Sequence, residues 1–286
     1  MALLNAAAAL AALMVAQSST AEVGRATESE EIVVTAPAAE EVRAFVDALS
    51  LESSTGQLAR WDRRICPGVM GATTAAAEFI LDRIAIRAYE VDLDVGEPGC
   101  RPNILIVVTD DSDAMAEGLR GTRAVAHHNN GGNTRGRAAY RAFSESDSPV
   151  RWWHVTQTVG ADGNAVDGGN PPTLRVGSVG RIRATTREDF SHVIMILDVN
   201  RAAGVSLGAL ADYIAMAALA QLDPEADVSA QPSILNVFAE RDAGRNGPTA
   251  MTEWDLDYLA GLYAAPSNAR NSRQQQRAIE QRMRER

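Results

Sequence analysis

HVIMILDVN (residues 192–200) and GALADYIAMAALAQL (residues 208–222) follow one another in the last third of the chain. The first is an aliphatic, β-branched run closed by Asp and Asn, the composition of a strand buried within a sheet. The second is too long for a strand and apolar on nearly every side, so it predicts a helix enclosed by other elements. A buried strand feeding a buried helix requires further strands beside the one and further helices over the other.

The rest of the chain supplies them. NILIVVT (residues 103–109) reads as a second fully buried strand, VRWWHVTQTV (150–159) alternates like a half-buried one, and LRVGSVGRIR (174–183) gives another. Val42, Phe45, Val46 and Leu49 recur at i, i+3, i+4 and i+7, one face of a helix. Residues 74–91 predict a second helix with Phe79, Ile80, Ile84, Ala88 and Val91 turned inward. Between these helices lies a long connection holding Trp61 and Cys66. Ser112 is placed to cap a short helix through Leu119, and residues 123–137 read as a Gly/Asn/Arg loop. The expected fold class is α+β: one domain over residues 38–266, a mixed or antiparallel-edged sheet with helices packed on it, and a disulfide-tied N-terminal part.

The disulfide expectation rests on the first 21 residues, MALLNAAAALAALMVAQSSTA, which carry no charged side chain, an apolar run and small residues placed for cleavage. That is the layout of a signal peptide, and the run is too short for a membrane span. Export to the periplasm or beyond follows, with no integral span left after cleavage. Cys66 and Cys100, each beside Pro and Gly, are then an even pair in an oxidising compartment. Every basic residue is Arg and the net charge is −10, which argues against nucleic acid as a partner. Residues 267–286 form a locally basic stretch, expected as a solvated, partly helical polar tail.

The order of the last third, through QPSILNVF and MTEWDLDYLAGLYAA, resembles the C-terminal half of matrixin-type zincin metallopeptidases and a similar family of secreted bacterial proteins of unknown function. The resemblance implies an edge strand before the active-site helix, a tight turn at Pro232-Ser233-Ile234-Leu235, and a final helix from Thr252 to Tyr263. It also implies a zinc site, which needs HExxH on the buried helix so that two His four residues apart face one metal. Ala211 and Ala215 stand where those His belong, with Asp212 at the Glu position and Gln221 or Asp223 near the third ligand. No metal and no cofactor are expected there, so the implied product is a catalytically inactive zincin-like binding or structural module.

Two alternatives remain open at this level. A hydrolase with a rebuilt site would use Asp212 with His154 and His192, the two histidines meeting across neighbouring strands. His127 and His128 sit together in a Gly/Asn loop and read as solvated, VGSVG around Ser178 misses the G-x-S-x-G elbow, and Asp110, Asp111 and Asp113 lack the rest of a calcium loop. The other alternative is an interaction protein. EEIVVTA, within an acidic linker at residues 22–37, resembles the TonB box of outer-membrane receptors, which implies binding of a TonB-like partner by strand addition through Ile32, Val33, Val34, Thr35 and Ala36. The same pentad also reads as a first edge strand of the domain.

Overall fold

The computed structural model describes residues 38–285, apart from 54–55, 123–131, 134–135 and 165–182. The signal segment, the pentad at residues 32–36, His127, His128, Ser178 and nearly all of the strand expected at 174–183 lie outside the described residues.

Strands β1 (Pro67–Met70), β2 (Ile104–Thr109), β3 (Gly132–Asn133), β4 (Val150–Gly160) and β5 (Thr186–Asp198) form one sheet in the order β1-β2-β5-β4-β3. β1, β2 and β5 run parallel, while β4 is antiparallel to β5 and β3 to β4. The fold is therefore α+β with a mixed sheet. The strand that precedes the buried helix is interior, not an edge as the resemblance implied. Among the described residues β4 holds the outer position, because the two-residue β3 covers it only at Thr156 and Gln157.

Parallel strands need a crossover, and α2 (Thr74–Tyr89) supplies it between β1 and β2. Its inward face is Ile80, Ile84 and Ala88, as expected. Phe79 is not inward: it is 38% exposed and lies under the Arg83 guanidinium at 5.4 Å, one position outside the buried stripe. β1 was read as part of a loop, because a four-residue strand opening Pro-Gly has no pattern to recognise. Cys66 and Cys100 are bonded, with Cα atoms 6.1 Å apart across 34 residues of chain. The bond closes the β1-α2-β2 unit at its base.

Helix α5 (Leu207–Leu219) starts at Ser206, whose hydroxyl accepts from the Ala209 amide, and residues 209–219 are all buried. It packs on α2 and on the β4 and β5 face of the sheet. Helix α1 (Ala39–Leu49) turns Val42, Phe45, Val46 and Leu49 inward, and Phe45 meets the rings of Trp254 and Tyr258 edge-on at 5.3 and 6.1 Å. Those rings belong to α7 (Glu253–Ala264), whose entry carries a capping box between Thr252 and Asp255. The opposite face of the sheet is covered by α3 (Ser112–Leu119) and α4 (Gly136–Glu145), with Phe143, Trp153, Val155 and Ile196 in a smaller apolar cluster. α3 is capped by Asp111, not Ser112; the Asp111 carboxylate accepts from the Ala114 amide.

Residues 267–286 are not a solvated tail. Between α5 and α7 come a 3-10 turn at Ile234–Asn236 and α6 (Val237–Asp242), and after α7 comes α8 (Ser272–Arg284), which packs on α7 and α1. Ile279 and Met283, one turn apart, are buried among the arginines. Gly261 permits the approach of α7, since a Cβ there would stand 2.6 Å from the Ile279 Cα. Gln275 clips α8 to the chain before Trp61, accepting from the Leu58 amide at 2.8 Å and donating to its carbonyl at 3.0 Å. No helix among the described residues is long and apolar enough to cross a membrane.

Replacing both cysteines by Ser should lower the unfolding free energy by about 4 kcal/mol, the loop-closure magnitude for a ring of this size, without changing the folded spectrum. Urea denaturation of oxidised wild type and variant gives the difference, and coincident midpoints would contradict a structural role for the bond.

Candidate functional site

Asp212 is fully buried, but not in a cleft. Two arginines one turn apart on α2 reach it: Arg83 Nη1 at 2.8 Å from Oδ2, and Arg87 Nε and Nη2 at 2.9 and 3.1 Å from Oδ1 and Oδ2. The Met251 amide also donates to Oδ2 at 2.9 Å. Arg87 is held well above the ordinary guanidinium value by its hydrogen bond to this carboxylate, and burial opposes that shift. A carboxylate that accepts four hydrogen bonds and is fully buried joins α5 to α2 and to the entry of α7, and is not open to a substrate.

His154 is also committed to the framework. The end of a helix leaves carbonyls without partners, and three on the last turn of α5 are taken by side chains from elsewhere. His154 Nε2 donates to the Ala217 carbonyl at 2.8 Å, Trp61 Nε1 to Ala218 at 2.9 Å, and the Tyr263 hydroxyl to Leu219 at 2.7 Å. Burial pushes the Tyr263 phenol far up its range, so it remains a donor. His192 lies on β5 opposite Val155, whereas His154 lies opposite Val193. The two histidines are thus next to each other in register but project from opposite faces of the sheet. Asp212, His154 and His192 do not meet.

A second polar network lies at the C-terminal ends of β2 and β5. Ser112 donates to Asp198 Oδ2 at 2.7 Å, and Arg151 donates to Ser112 Oγ at 2.8 Å, to the Ser144 carbonyl at 2.9 Å and to Asp113. Arg201 closes the far side of Asp113 at 2.8 Å. The Arg151 and Arg201 guanidinium groups hold the Asp113 carboxyl below its usual range. With the exposed Asp147 3.7 Å from Arg201, three carboxylates here face two guanidinium groups, a cluster that anchors α3 and the start of β4.

Unlike these networks, the outer edge of β4 around Trp152 has no strand beside it among the described residues. A cavity of about 700 Å³ runs along it from Val150 to Thr156. Asp198 N donates to the Pro149 carbonyl, so the main chains of Arg151 and Trp153 bond to β5 and that of Trp152 points outward. Trp152 and Trp153 flank this edge on opposite faces. Trp152 reaches Tyr213 on α5 (6.1 Å between rings), and Trp153 reaches Tyr140 and Phe143 on α4 (5.3 and 5.8 Å). One wall is the apolar side of α4, including Ala139, Ala142 and Phe143; the other is formed by residues 51–53 and 221–225. Sequence reading missed this groove because it depends on α4, which lies at the end of a stretch that looked like loop, and on where β3 stops.

No family model matches the chain, and no curated protein or solved structure shows significant similarity to it.

Asp212→Asn should remove the charge from between Arg83 and Arg87 and cost about 3 kcal/mol of stability. Equilibrium unfolding of the variant tests this, and wild-type stability would contradict the tie between α5 and α2.

Proposed function

We propose that this protein is an exported, zincin-like binding module without zincin catalysis, and that it holds an extended polypeptide segment against the outer edge of β4. The observation that carries the reading is the outward main chain of Trp152, set within a 700 Å³ groove between two walls. A strand edge of this kind accepts another strand through main-chain hydrogen bonds, with side-chain pockets on either side giving selectivity.

Several observations support the zincin-like part. A strand, an enclosed helix, a Ser-Ile-Leu turn and a helix containing Leu262-Tyr263 follow one another in the implied order, although the strand is interior and α8 comes after the last of them. Turn and final helix are tied together: Asp255 accepts from Ser233 Oγ at 2.6 Å and from the Ile234 and Thr252 amides at 2.8 Å each. The disulfide suits an oxidising compartment and so supports export.

The residues of α5 do not fit zinc. Ala211 and Ala215 are fully buried and offer no ligand atom, and Asp212 is saturated by arginine. Gln221 accepts from the Ala59 amide at 3.1 Å, and Asp223 turns one oxygen to the Glu225 amide at 3.1 Å. Among the described residues, no group of three or more His, Cys, Asp or Glu side chains gathers around a common point.

Ala142 is exposed on the α4 wall, so Ala142→Trp fills the groove without disturbing the core. Titration calorimetry with extended peptides should show binding to wild type and at least a tenfold loss in the variant, about 1.4 kcal/mol or more. Binding that survives Ala142→Trp would contradict the groove as the site. Stoichiometric zinc with a chelator-sensitive hydrolytic activity would contradict the absence of zincin catalysis.

A further inference from the structure

The two walls of the β4 groove differ in chemistry. On the α4 side stand the small apolar side chains Ala138, Ala139 and Ala142, with Phe143 beneath them. On the α5 side, where Leu222 O accepts from Trp152 Nε1 at 3.4 Å, the lining carries Glu52, Asp223 and Glu225. Glu52 and Glu225 are exposed and Asp223 is half-exposed, so all three line the groove with charge open to solvent, one Glu52 oxygen also accepting from the Ser272 hydroxyl. Arg151 is the arginine among the described lining residues, but it is buried and spent on Asp113, Ser112 and the Ser144 carbonyl.

A strand added to β4 must continue the alternation of the sheet, its side chains pointing in turn to the α4 face and to the α5 face. Residues on the first face would meet alanines. Residues on the second would meet three carboxylates, with no accessible counter-charge among the described lining residues. Resting on the strand-addition reading above, we infer that the partner is a cationic segment in which Arg or Lys alternates with aliphatic residues, the basic side chains directed at Glu52, Asp223 and Glu225. The carboxylates select among partners and speed encounter, while the main chain of Trp152 and the α4 wall hold whatever is selected. Because the acidic wall lies at the surface, the selectivity weakens as salt screens it.

The test is titration calorimetry of the full chain at low salt with three short capped peptides, in which Val alternates with Arg, with Gln or with Glu. The Arg peptide should bind at least about tenfold more tightly than the Gln peptide, and the Glu peptide most weakly. The preference should shrink toward unity in high salt and in the double variant Asp223→Asn/Glu225→Gln. Both residues are surface groups whose neutral analogues keep the shape of the wall, and coincident thermal melts establish that the variant is folded. Equal affinity for the Arg and Gln peptides would overturn the charge selectivity and leave the groove standing. An Arg preference unchanged in the double variant would overturn it too, assigning the preference to the net charge of −10 and not to this wall. No binding of any peptide, or binding insensitive to Ala142→Trp, would overturn the groove itself.

Discussion

β5 is hydrogen-bonded along both edges, to β2 on one side and β4 on the other, and its inner half is apolar on both faces. Such a strand cannot be stable until both faces are covered. α5, with α2 and α7 behind it, covers one, and α3 with α4 covers the other. The chain completes this double cover before it completes the sheet. Among the described residues, β4, next to β5, has a partner on its other side over only two residues, those of β3. The groove is therefore a consequence of how the central strand is buried.

Enclosing α5 has a further consequence for the polar residues around it. A helix without a solvent face cannot hand its last carbonyls or a mid-helix carboxylate to water, and an unpaired buried polar group costs about 1–3 kcal/mol. His154, Trp61 and Tyr263 take the carbonyls, and Arg83 and Arg87 take Asp212. Side chains that look like the makings of an active site in the sequence are thus committed to the framework. The groups with accessible charge, Glu52, Asp223 and Glu225, carry no catalytic pattern and are easily passed over in a sequence.

Periodicity revealed the elements that bury a continuous face: the inward side of α1, most of α2, the strands β2 and β5, and α5 itself. It failed where the signal was short or depended on distant partners. Phe79 was assigned inward because aromatic residues on a helix stripe usually are, yet the stripe ends one position away and Arg83 covers the ring instead. α8 was hidden by its arginines, since only Ile279, Met283 and Gln275 face the body and the fit depends on Gly261 of another helix. VRWWHVTQTV alternates as if one face were wet, but Arg151, Trp152 and Trp153 are all buried because both faces of β4 are covered. The pairing of the buried Arg151 with the exposed Asp113 spans 38 residues and has no local signature. The Asp212 charge tie was equally illegible, so the carboxylate looked available when it is not.

The accessibility of the β4 edge is most directly tested by residue-resolved amide hydrogen exchange in the free protein. The register predicts that the Arg151 and Trp153 amides, bonded to β5, exchange slowly, while the Trp152 amide between them exchanges orders of magnitude faster. A Trp152 amide as protected as its two neighbours would mean that the edge is already covered, and would contradict the groove as a binding site.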